Sequence, residues 1–89
     1  MDIHYTVQVW REGNQYIAHA MPLDVASSAE TPEKAKLAVD EAVRLFVKTA
    51  AEHGTLNEVL EEAGYENSGS EWRSPDWVSF EKHSTAVAA

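Results

Sequence analysis

Between Thr31 and Gly54 the apolar residues return at helical spacing. On a helical wheel Ala35, Ala38, Val39, Ala42, Val43, Phe46 and Ala50 fall on one stripe, while Lys34, Lys36, Glu41, Arg44, Lys48 and Glu52 stay largely outside it. A helix with one apolar stripe must bury that stripe against another layer, and this requirement constrains the fold more than any other feature of the chain. Both ends are signalled. Thr31 is a good N-cap, Pro32 suits the first helical position, and Glu33 sits where the helix dipole favours negative charge. Gly54 suits the residue just past the C-terminus.

The partner layer is encoded upstream. Residues 3–10, Ile-His-Tyr-Thr-Val-Gln-Val-Trp, alternate with period two, which sets Ile3, Tyr5, Val7 and Val9 on one face of a half-buried strand. Arg11-Glu12-Gly13-Asn14 is a turn cluster, Gly13 and Asn14 both tolerating positive φ, and residues 15–20 form a second strand, so the pair reads as a hairpin. A two- or four-residue loop then puts Tyr16, Ala18 and Ala20 on the core face and Trp10, Ile17, His19 and Met21 on the other. A third short strand is expected over residues 23–27, with Leu23 and Val25 pointing inward.

Downstream of the long helix, Thr55-Leu56-Asn57-Glu58 has the form of a capping box opening a short second helix that closes at Gly64. Residues 67–70 read as a loose polar loop, Trp77-Val78-Ser79-Phe80 as a last strand, and residues 83–89 as a frayed tail. These elements predict an α+β fold in which one long and one short helix cover a mostly antiparallel four-stranded sheet. If the last strand returns beside the first, a right-handed connection gives the order 3-2-1-4; a ferredoxin-like arrangement is the alternative. The 89 residues suffice for one domain, 1–89 with a core over about 3–82, burying roughly 60–65% of the unfolded surface, and are too few for two normal cores.

Charge narrows the possible partners. Fifteen acidic residues against seven basic ones give a formal net charge of −8, and Arg11, Lys34, Lys36, Arg44, Lys48, Arg73 and Lys82 are scattered singly. Binding nucleic acid through its phosphates requires a basic face, so no direct nucleic-acid binding is expected, whereas a basic protein would be attracted. An acidic surface that only keeps the chain soluble is the plainer reading. No apolar run approaches the ~20 residues needed to cross a bilayer, so no membrane span is expected. The first ten residues have neither a basic nor an apolar signal region, and the chain has no cysteine, both of which fit a cytoplasmic protein.

Several segments together resemble the HicB antitoxin family: Tyr5-Thr6-Val7, Tyr16-Ile17-Ala18, residues 23–27 leading into Glu30-Thr31-Pro32-Glu33-Lys34-Ala35, Glu41-Ala42-Val43-Arg44-Leu45-Phe46, and residues 56–65. The resemblance spans roughly residues 3–65 and lies in the order and spacing of the segments. It implies a partial RNase H-like fold and an antitoxin that occludes a small basic ribonuclease toxin of the HicA type. The chain departs from the family pattern at Ser27-Ser28-Ala29, where many relatives have Ser-Gln-Gly. Longer members add a DNA-binding region. Only nine residues follow Phe80, so autorepression by this chain alone is not expected.

Catalytic chemistry is sparse. Two-metal hydrolysis needs several carboxylates converging from strand centres, and the best assembly available, Asp2 and Asp76 with Glu52 and His53, reads as solvated strand and helix ends. His4 and His19 could be diagonal neighbours, but two ligands do not complete a zinc site. Trp72 and Trp77 are expected to cover the sheet edge or the helix seam. No Gly-rich phosphate loop or nucleophile elbow is present. The chain is therefore read as a non-enzyme without metal or cofactor.

Its candidate functional surfaces are two. Trp10, Ile17, His19 and Met21 form an apolar sheet face suited to a homodimer or other homo-oligomer, unless the second helix or the tail covers it. Asp40, Glu41, Glu58, Glu61 and Glu62 offer acidic helix surfaces to a basic partner. Antitoxin, toxin-independent homo-oligomeric interaction module and, third, metal-dependent hydrolase are the function classes left to weigh.

Overall fold

The computed structural model describes residues 1–88. It is α+β: two helices and two small sheets of three strands each. In chain order these are β1 (Asp2–Ile3), β2 (Thr6–Glu12), β3 (Gln15–Met21), β4 (Val25–Ala29), α1 (Pro32–Glu52), α2 (Leu56–Glu62), β5 (Glu66–Ser68) and β6 (Glu71–Arg73).

The first sheet has the order β2-β3-β4 and is antiparallel throughout. Glu12 pairs with Gln15 across a two-residue Gly13-Asn14 loop, and Gly13, at φ +61°, supplies the positive φ that a turn of this kind needs at its first central position. The register runs from there to Thr6 opposite Met21. Because the loop has two residues, Val7 and Val9 share a face with Ala18 and Ala20, as the alternation predicts. Ala18 and Ala20 are fully buried, and their small side chains let α1 lie close on the sheet with Ala35, Val39 and Val43 against them.

The third strand starts two residues later than expected. Asp24 adopts φ +62° and donates its N–H to the Ala20 carbonyl at 2.9 Å, so residues 22–24 are a turn and pairing resumes with Val25 opposite Ala20. Leu23 is still buried and Val25 still packs on the core.

α1 begins as the sequence signals it. The Thr31 hydroxyl accepts the Lys34 N–H at 3.1 Å, and Pro32 is the first helical residue. At the other end Gly54, at φ +71°, lets the chain leave. The expected capping box at Thr55 does not form: the Thr55 hydroxyl instead donates to the Ala50 carbonyl at 3.3 Å, tying α2 to the end of α1.

The single four-stranded sheet of order 3-2-1-4 is not what forms. The strand expected over residues 3–10 breaks at His4 and Tyr5, and its first part, β1, pairs in parallel with β6 in a second sheet of order β1-β6-β5. The break has a local cause. The His4 N–H donates to the Trp72 carbonyl at 3.1 Å, and the His4 carbonyl accepts the Tyr65 hydroxyl at 2.5 Å, so both main-chain groups of this residue are committed elsewhere. The loose loop expected over residues 67–70 is also corrected. Gly69, at φ +69°, and Ser70 close a tight hairpin in which Ser68 pairs with Glu71.

The last strand expected over residues 77–80 is absent, and no regular element is found over residues 74–88. Pro75, which has no N–H to donate, lies beside Gly64. Trp72, only 1% exposed, enters the core instead of covering an edge, and joins Leu60, Tyr65 and the α1–sheet residues in one cluster. The radius of gyration of 15.4 Å exceeds the ~12 Å of a compact chain this long, because the C-terminal arm projects from the body.

Candidate functional site

The register assembles the predicted sheet surface. Trp10 stands opposite Ile17, Gln8 opposite His19 and Thr6 opposite Met21, all on the face turned away from α1. The Trp10 and His19 rings meet edge to face with centroids 6.1 Å apart. Trp10 is 38% exposed, whereas Ile17, His19 and Met21 are half-buried. α1 packs on β2, β3 and β4 through the other face, and α2 packs beside α1. Among the described residues no helix therefore lies over Trp10, Ile17, His19 and Met21.

His19 is fixed on this face by Asp24, whose Oδ1 lies 2.6 Å from Nε2. An ionised carboxylate can only accept, so Nε2 donates. Nδ1 is buried and has no hydrogen-bond partner among the described residues. The positive φ of Asp24 thus does two things: it ends the β3–β4 turn and it aims a carboxylate back at the sheet. The Trp10 indole N–H donates to Glu12 Oε1 at 2.9 Å.

The acidic residues divide differently from expectation. Asp40 is half-buried, and its Oδ1 accepts the Tyr5 hydroxyl at 2.6 Å, so it latches the N-terminal segment to the middle of α1. Burial, helped by this hydrogen bond, pushes the Tyr5 phenol up to about 12. Glu41, Glu58, Glu61 and Glu62 are exposed.

Charge sign along the chain marks a feature that residue-by-residue reading missed. Between Lys48 and Arg73, over residues 49–72, there is no Lys or Arg, yet Glu52, Glu58, Glu61, Glu62, Glu66 and Glu71 all fall there. Six of the eight excess negative charges thus belong to residues 49–72, from the end of α1 through α2 to Glu71 and Trp72 of β6. All six except Glu71 are exposed. Glu71 accepts from His4 Nε2 at 2.9 Å and from Arg73 Nε at 2.9 Å. These two donors, His4 first, hold its carboxyl below the usual range.

The assembly of Asp2, Glu52, His53 and Asp76 does not come together. Asp76 lies with His4, Glu71, Arg73 and Ser74 along a shallow polar cleft, whereas Asp2 lines a groove with Ile3, Val43, Arg44 and Lys48. Among the described residues no three His, Cys, Asp or Glu side chains are grouped to hold a metal ion. His19 lies in β3 whereas His4 lies in the break between β1 and β2, each with its own carboxylate. No helix among the described residues is long and apolar enough to cross a membrane.

Comparison with protein-family models, curated proteins and solved structures finds no match. The resemblance to the HicB family rests on the residues quoted for it.

Proposed function

We propose that this protein is a HicB-like antitoxin that neutralises a small basic ribonuclease toxin of the HicA type by covering it. In this reading the two sheets and α1 are a partial RNase H-like scaffold, the location is the cytoplasm, and the protein works as a surface without cofactor or bond chemistry of its own. The observation that carries the reading is the uninterrupted acidic stretch from Glu52 to Glu71. A basic toxin would meet the exposed carboxylates of Glu52, Glu58, Glu61, Glu62 and Glu66, and the nearby Arg73 is already paired with Glu71, which favours fast association and penalises acidic competitors.

Growth rescue tests it. Co-expression with a HicA-type toxin should restore growth of a host the toxin arrests. The triple variant Glu58→Lys, Glu61→Lys, Glu62→Lys, all at exposed positions, should accumulate normally and fail to rescue. Rescue by the triple variant at the wild-type level contradicts the reading.

A second reading is favoured by the face of Trp10, Ile17, His19 and Met21, over which no helix lies among the described residues: a homo-oligomeric interaction module. A Trp10→Asp, Ile17→Asp variant that keeps the wild-type association state in sedimentation would remove this face as the contact. The two readings are compatible, since one concerns copies of the chain and the other a foreign protein.

A further inference from the structure

The second half of α1 carries two rows of side chains next to each other. Val43 and Val47 stand one turn apart, and so do Arg44 and Lys48, each one position further on. With Ile3 and Tyr5 the apolar row lines a groove of about 310 Å³ between β1 and α1, and Arg44 and Lys48 line it as well. Val43 is buried, whereas Ile3, Tyr5 and Val47 are half-buried and packed on the core. The apolar floor is therefore preformed. The hydrogen bond from the Tyr5 hydroxyl to Asp40 holds one wall of it in place. The cleft of His4, Glu71, Arg73, Ser74 and Asp76, by contrast, is polar throughout.

The charge of this groove is opposite to that of the molecule. Two of the chain's seven Lys and Arg residues line it against one carboxylate, that of Asp2, in a chain of net charge −8. Both cations are free of protein partners. Among the described residues neither Arg44 nor Lys48 forms an ion pair, and Asp40, one turn before Arg44, is engaged by Tyr5. None of the acidic residues between Glu52 and Glu71 lines the groove.

We propose that the groove between β1 and α1 binds a small amphipathic monoanion, an apolar chain or ring that carries one carboxylate. The apolar body lies on Ile3, Tyr5, Val43 and Val47, and the carboxylate accepts hydrogen bonds from Arg44 and Lys48 at the exposed margin. Size and charge both select this class. A volume of about 310 Å³ falls at the lower end of the range for small-molecule sites. Two cations against Asp2 leave one net positive charge, which a single carboxylate balances and a second would not. The apolar floor supplies the affinity, and the cations supply the preference for an anion over a neutral or cationic ligand of the same shape. A ligand seated there touches both β1 and α1 and stabilises the folded chain by mass action.

Nuclear magnetic resonance titration of the full chain with octanoate, kept below its micellar concentration, tests the proposal. Saturable amide shifts should cluster at residues 2–5 and 43–48, and octylammonium should bind at least ten-fold more weakly. Arg44→Gln, Lys48→Gln changes two exposed residues without ion pairs, so it should keep the wild-type circular dichroism while losing octanoate affinity at least ten-fold. Lys34→Gln, Lys36→Gln removes the same charge from exposed positions elsewhere on α1 and should bind octanoate as the wild type does. The comparison of octanoate with octylammonium needs no variant, so it stands even if a substitution disturbs the fold. Absence of saturable shifts, shifts confined to Trp10, Ile17 and Met21, equal affinity for octylammonium, or an equal loss in the two double variants would each overturn the proposal.

Discussion

The Tyr65 hydroxyl donates to the His4 main-chain carbonyl at 2.5 Å, across 61 positions of sequence. Tyr65 follows α2 directly, and its own N–H donates to the Leu60 carbonyl at 3.0 Å, so this one residue joins the end of the second helix to the hinge between β1 and β2. Tyr65→Phe keeps the ring and deletes the bond. It should lower the unfolding free energy by about 1–2 kcal/mol, the worth of a hydrogen bond whose acceptor is left poorly solvated. Urea denaturation with an unchanged m-value checks it.

Trp72 is the largest fully buried side chain, and its Nε1 has no hydrogen-bond partner among the described residues. Trp72→Ala should cost about 3–5 kcal/mol, a large part of the stability of a domain this small. Trp72→Phe also loses volume, but it removes the unpaired donor, so its cost should be well under half as large. A Phe variant as unstable as the Ala variant, measured by thermal unfolding, would show that the indole N–H is satisfied in solution.

The alkaline limb of the stability curve should be set by Tyr5 and Tyr65, both pushed up to about 12 in the folded protein, chiefly by burial. A phenol whose folded value lies above its unfolded value of 10.0 contributes stability that is complete below pH 10 and is lost as pH rises toward 12. Ultraviolet titration of the native protein should show these two ionisations near pH 12, coinciding with loss of the far-ultraviolet signal. In Tyr5→Phe, Tyr65→Phe the alkaline transition should move up.

On the acid side the sign reverses. Glu71 is held below its ordinary 4.5 by His4 and Arg73, so its contribution is present above pH 4.5 and lost as pH falls through its folded value. Urea midpoints for wild type and Glu71→Gln should differ by a constant amount near neutral pH and converge in acid. Parallel curves across the whole range would mean that the carboxylate adds nothing through charge.

How much of this was legible in the sequence depends on whether the determining forces are local. The long helix, its Thr31 cap, the β2–β3 hairpin and its facing are local consequences of periodicity and turn chemistry, and they read correctly from Ala35, Ala18 and Gly13. The β5–β6 hairpin escaped because Glu66-Asn67-Ser68 has no β propensity, although Gly69-Ser70 was an available turn signal. The split of the sheet could not be read, since it depends on Tyr65 and Trp72 meeting His4 from far along the chain. Trp77–Phe80 has a strand's composition, but after Ser74-Pro75-Asp76 it pairs with no strand among the described residues. At the candidate site the apolar face was legible as alternation. Asp40 was misjudged because nothing local signals that Tyr5 reaches it.

The central claim, that the acidic stretch from Glu52 to Glu71 receives a basic protein, is tested most directly by calorimetric titration with a catalytically inactive HicA-type toxin at two salt concentrations. Tight binding at low salt is expected, weakening as salt rises and falling at least ten-fold in the Glu58→Lys, Glu61→Lys, Glu62→Lys variant. No heat of binding, or an affinity that neither salt nor the triple reversal changes, would contradict it.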